Sequence, residues 1–115
     1  MTNPMKGETQ ITLAKNEYSC RLTVDSLIKI ETALDKGILQ ITQRLSDGDV
    51  RLNDLAVVLY HALRGGGNNF SEKDIKGLIQ DSGIVSCCGA VAQLLVSTLS
   101  DPSAESDEKK QEPES

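Results

Sequence analysis

Tryptophan is absent from this chain, and aromatic residues are scarce: one Phe (Phe70) and two Tyr (Tyr18, Tyr60). A core must therefore come from Leu, Ile and Val. Histidine occurs once, as His61. A lone histidine without a neighbouring nucleophile is not a catalytic site. Cysteine occurs three times, as Cys20 and the adjacent pair Cys87-Cys88. An odd number with two adjacent is no disulfide framework and fits a reducing cytoplasm. Structural zinc takes four ligands, usually from Cys-x-x-Cys pairs, and neighbouring helical residues point ~100° apart. The cysteines thus read as small buried apolar residues. No apolar run approaches the ~20 residues of a membrane span, and the first residues lack the apolar stretch of a signal peptide. Excess positive charge is lacking too. The net charge is −5, which argues against nucleic acid as the main partner.

What remains is one domain, residues 1–100, of 115 in all, with a modest core. Residues 101–115 hold six acids and two lysines among Ser, Pro, Gln and Ala. Such a segment has nothing to bury, so a disordered acidic C-terminal tail is expected.

Glu8 to Leu13 alternates, with Ile11 and Leu13 on one face. Tyr18 to Leu22 alternates as well, with Tyr18, Cys20 and Leu22 together. The polar segment Ala14 to Glu17, which contains Asn16, joins them. This pattern predicts a β-hairpin with its Ile11, Leu13, Cys20 and Leu22 face against helices. Thr23 or Asp25 can cap a helix to about Asp35 with the stripe Val24, Leu27, Ile30 and Leu34, and Gly37 is its stop signal. Glu31 falls inside that stripe, so its carboxylate is expected either at the rim or paired, with Arg21, Arg44 or Arg64 as candidate partners. Ile38, Ile41 and Leu45 predict a short helix over about 38–45. Ser46-Asp47-Gly48-Asp49 reads as a turn.

A helix from about Leu52 to Arg64 follows, with Leu55, Val58, Leu59, Ala62 and Leu63 on one face. Opposite them stand Val57, Tyr60, His61 and Arg64. That mix is enriched at protein interfaces, whereas an ordinary surface helix is charged there. A central helix buried on both sides is the alternative. Gly65-Gly66-Gly67 ends the helix. A P-loop needs Gly-Lys-Ser/Thr opening into a helix, which Asn68-Asn69-Phe70 does not supply. The glycines read as a left-handed terminus and a mobile loop. Ser71 is an N-cap, Asp74 holds the capping-box position where Glu is commoner, and Phe70 and Ile75 form a hydrophobic staple. This helix stops near Ser82-Gly83. The last, about Ile84 to Leu99, carries Ile84, Cys87, Cys88, Val91, Leu94, Leu95 and Leu99 on one side. The fold class is α+β: an N-terminal β-hairpin packed on four to five short helices.

The order and spacing of these parts carry a resemblance. Asn3-Pro4 and Lys6-Gly7-Glu8 open the hairpin, and Leu27-x-x-Ile30-Glu31-x-x-Leu34 follows. Leu59-x-x-x-Leu63-Arg64-Gly65-Gly66-Gly67 comes next, before a final apolar helix. Over about residues 3–99 the chain resembles the small tail proteins of gene transfer agents and related tailed prophages. That family is labelled tail tube protein or tail assembly chaperone. Cys87-Cys88-Gly89 and the acidic tail depart from its pattern. The cysteine pattern and the lack of paired acid–base residues argue for a cytoplasmic, non-enzymatic protein with no cofactor or metal, in keeping with the resemblance. Its partners would be phage tail proteins, the tape measure and the tail tube, with neither nucleic acid nor membrane, and with homo-oligomerisation left open. A chaperone holding a tape-measure protein while tube subunits polymerise suits a mostly helical chain. A structural tail component retained in the particle is the rival. On either account the partner-binding residues expected are Val57, Tyr60, His61 and Arg64 with Gly65, Gly66 and Gly67.

Overall fold

The computed structural model describes residues 8–100. The elements run β1 (Glu8–Leu13), β2 (Asn16–Arg21), α1 (Val24–Leu34), α2 (Ile38–Asp47), α3 (Leu52–Gly65), α4 (Glu72–Ser82) and α5 (Ile84–Ser100). The hairpin followed by helices is thus the observed architecture. The Asn3-Pro4 and Lys6-Gly7 pairs of the resemblance, and the tail expected to be disordered, lie outside the described residues.

The strands pair antiparallel from Glu8↔Arg21 to Leu13↔Asn16. The turn is tighter than Ala14–Glu17. Ala14 (φ 52°) and Lys15 (φ 72°) alone make it, and Asn16 belongs to the strand. A two-residue connection needs positive φ at both positions to match strand twist. Non-glycine residues pay roughly 1–2 kcal/mol each for that backbone, which the ladder and the packed face must offset. Ile11, Leu13, Cys20 and Leu22 are buried on that face. β1 lies against α4 and α5, and β2 against α3.

Thr23 is the cap of α1: its side chain accepts from the Ser26 N–H at 3.1 Å. Leu27, Ile30 and Leu34 are buried, but Val24, at the overhanging first position, is half exposed. Asp35 (φ 55°) takes the left-handed terminus, two residues before the expected Gly37. Gly37 instead starts α2 and supplies no side-chain cap. Glu31 fills that role. Its Oε2 accepts from the Ile38 N–H at 2.8 Å. The carboxylate therefore meets a helix N-terminus, where free N–H groups and the helix dipole favour it, rather than an arginine. α2 runs through Asp47 because Gly48 (φ 74°), not Ser46, provides the left-handed cap.

α3 touches α1, α4, α5 and β2, and so forms the centre of the helical layer. Leu55, Val58, Leu59, Ala62 and Leu63 are all 0 % exposed. Beside them Asp54 is buried and meets Lys36 Nζ at 3.3 Å. α4 starts with a complete capping box. Ser71 Oγ accepts from the Asp74 N–H at 3.2 Å, and Asp74 Oδ2 accepts from the Ser71 N–H at 2.9 Å. The shorter Asp side chain thus performs what Glu does more often. On α5, Cys87, Cys88, Val91, Leu94 and Leu95 are buried, Leu99 is half-buried and the first residue, Ile84, is half exposed. Ala92 and Thr98 are buried too. Thr98 Oγ1 donates to the Leu94 carbonyl at 2.8 Å, which lets a hydroxyl sit in the core. No single helix among the described residues is long and apolar enough to cross a membrane.

A candidate partner-binding groove on α3

The face of α3 turned from the core is neither a plain charged surface nor fully interior. Ala56, Val57, Tyr60 and His61 are half-buried, and Arg64 is exposed. They recur at three- and four-residue spacing, which stacks them along one side of the helix. The start of α4 supplies the opposite wall, with Phe70, Asp74, Ile75 and Lys76, and Ala33 of α1 closes one end. The resulting groove holds about 770 Å³. A second depression of about 450 Å³ continues it through Leu52, Ile79 and Ile84, sharing Asn53, Ala56 and Lys76.

The polar groups of the groove are arranged around Tyr60. The His61 ring stands edge-to-face with it, centroids 5.2 Å apart. The Arg64 guanidinium lies 5.9 Å from the Tyr60 ring centroid, within cation–π reach. Burial, then the nearby charges of Lys29 and Arg64, hold His61 below its ordinary value of 6.5. The imidazole is therefore neutral at pH 7 and offers a hydrogen bond rather than a charge. On the far wall, the Ser71 main-chain N–H and hydroxyl hold the Asp74 carboxyl below its usual range. The lining mixes apolar side chains with one phenol, one guanidinium, a neutral imidazole and the charged Glu72, Asp74 and Lys76, a composition that suits a polar-rimmed protein contact.

Val57, Tyr60, His61 and Arg64 thus share one groove. Gly65, Gly66 and Gly67 do not line it. A Cβ on Gly65 would overlap the Arg21 carbonyl oxygen, and one on Gly66 the Ser19 carbonyl oxygen. Only Gly67 (φ 96°) needs a left-handed backbone. Asn68 then donates through Nδ2 to the Ser19 carbonyl at 2.7 Å and to the Leu63 carbonyl at 3.2 Å. Its own N–H bonds the Leu63 carbonyl at 2.9 Å. The loop expected to swing is instead fastened to β2. The first two glycines serve the close approach of helix and strand. The α4 wall was missed because its place depends on the tertiary fold. Phe70 was the one available signal, and its ring packs edge-to-face on Tyr18 at 5.8 Å.

The three cysteines are free and buried. Burial pushes the Cys20 thiol up to about 12. Burial, with a smaller effect of Cys88, pushes Cys87 up to about 11. Metal ligation and nucleophilic attack both need the thiolate. Among the described residues no group of three or more His, Cys, Asp or Glu is placed to hold a metal ion.

The class of protein follows from comparison over nearly the whole chain: a tail protein of phages and gene transfer agents. The chain belongs to the family described as phage tail tube protein, GTA-gp10, whose model matches residues 6–101. Comparison with curated proteins and with solved structures gives no match.

Proposed function

We propose that this chain is a tail assembly chaperone, a cytoplasmic binding protein that acts without cofactor or catalysis. It would hold tail proteins, the tape measure or the tube subunit, while the tail is built. Apolar segments of the client would lie in the α3 groove against Val57 and Tyr60, with His61 and Arg64 at its polar side. They would be released as the client finds its place in the tail.

One observation carries this choice over a tube subunit. The sheet among the described residues has two strands, and the outer edge of β2 is closed by Gly65, Gly66 and Asn68. A tube wall made by continuing a sheet from subunit to subunit needs a free strand edge on each side of every subunit. The second reading, a structural tail component, is favoured by the family's own description as tail tube protein. Affinity capture of the full chain from cells assembling tails separates the two, combined with quantitative peptide analysis of purified mature particles. A chaperone is captured with tail proteins and is absent from the particle. Stoichiometric presence in the particle contradicts the proposal.

A further inference from the structure

The two edges of the hairpin are treated unequally. On β2, the Ser19 carbonyl accepts from Asn68 and the Arg21 carbonyl faces Gly65. Both carbonyls therefore point away from β1. In an antiparallel ladder, residues opposite such positions form the non-hydrogen-bonded pairs and also turn their main chain outward. Ser19 is opposite Gln10 and Glu17 is opposite Thr12. The outer edge of β1 thus presents the main-chain groups of Gln10 and Thr12. Both residues are exposed, and among the described residues no hydrogen bond engages those outward groups. The edge carries none of the usual guards at these positions: no Lys, no Pro and no bulge.

We propose that this β1 edge pairs with the same edge of a second copy of the chain, giving a four-stranded antiparallel sheet across a twofold axis. Three observations select this occupant. With β2 closed, the described residues leave one strand edge open, at Gln10 and Thr12, so sheet pairing between copies there closes on itself and cannot propagate into a ring or fibre. The edge is self-complementary in charge. With Gln10 opposite Gln10 of the second copy, Glu8 stands opposite Thr12, and no like charges face each other. The pleat also matches. A twofold perpendicular to the sheet keeps the Ile11 and Leu13 sides of both copies on one face, continuous with the helical layers. This inference stands apart from the groove and from the proposed chaperone role.

Sedimentation velocity of the full chain over a wide concentration series tests it, with Gln10→Lys and Gln10→Pro alongside. Lys places like charges across the axis. Pro removes an N–H that the hairpin itself does not use, as edge positions allow. The wild type should pass from monomer to dimer and stop there. Each variant should weaken dimerisation by about tenfold or more, because every change acts twice in a symmetric pair. Amide exchange at Gln10 and Thr12 should slow as wild-type concentration rises. Circular dichroism checks that the variants fold, and Gln10→Lys decides the matter where Gln10→Pro does not. A wild type that stays monomeric overturns the proposal. So does a dimer that Gln10→Lys leaves untouched, an oligomer beyond two, or a monomer whose β1 edge takes up an extended segment of a tail protein instead.

Discussion

Both faces of α3 carry large side chains at the same helical spacing, yet they are covered to very different extents. Leu55, Leu59 and Leu63 are sealed at 0 % exposure among the hairpin and the other helices. Val57, Tyr60 and His61, one or two residues away in sequence, remain half covered and open into a groove. The difference lies in what stands opposite. The core face is sealed by its neighbours, whereas along the other face α4 and Ala33 of α1 stand back far enough to leave the groove and its continuation open. A helix can therefore look apolar nearly all round without being interior. Its second face is a surface whose cover is left incomplete.

Substitutions on and around α3 should separate the two faces. The largest effect is expected at Leu59→Ala, which opens a cavity in the centre of the core. Urea unfolding should show a loss of roughly 2–5 kcal/mol. A loss below about 1 kcal/mol would mean that the core face is not the structural one. Lys36→Met removes the partner of the buried Asp54 carboxylate. The same measurement should give about 1.5–3 kcal/mol, the range for a hydrogen bond to a charged group. Gly65→Ala tests the join between helix and hairpin. Helix propensity alone predicts a gain of up to ~1 kcal/mol. The overlap of a Cβ with the Arg21 carbonyl predicts a loss of roughly 1–3 kcal/mol. The sign of the change in melting temperature decides between them.

The smallest effect is expected at Asp74, on the groove wall. Its folded pKa lies below the ordinary 3.8. Its contribution is therefore present above that value and lost as pH falls through the folded one. Asp74→Asn should be slightly less stable than wild type at neutral pH, converge with it in acid, and so flatten the acid limb of a stability–pH profile. An unchanged acid limb would show that the capping box adds nothing measurable.

Much of this arrangement was legible in the sequence wherever the cause was local. Strand alternation marked Ile11, Leu13, Cys20 and Leu22, helical periodicity marked the α3 stripe, and Ser71 with Asp74 marked the start of α4. Val57, Tyr60, His61 and Arg64 were expected on one face, and that is where they stand. What escaped depends on contacts distant in sequence. Gly65 and Gly66 looked like a flexible stop, because nothing local says that β2 passes within a methyl group of them. Glu31 looked like half of an ion pair, because its true partner is the main chain of the next helix. Asp35 in place of Gly37, and Ala14-Lys15 in place of a turn around Asn16, show a related effect. In both places a left-handed backbone falls on non-glycine residues, set by the two-residue strand connection and by the end of α1, with no glycine to mark it. The stripes were overdrawn at their ends, at Val24 and Ile84, where a helix outruns the layer it covers.

The proposed function rests on a division of labour in which the core face of α3 holds the fold while the groove face binds the client. It is tested most directly by measuring thermal stability and capture of tail proteins on one variant, Tyr60→Ala. The Leu55, Leu59 and Leu63 side is untouched, so stability should fall by about 1 kcal/mol or less. Capture should weaken by ~1–3 kcal/mol, as for an aromatic anchor at an interface. Unfolding of the variant would show that this face is core. Unchanged stability with unchanged capture would place the client elsewhere on the molecule.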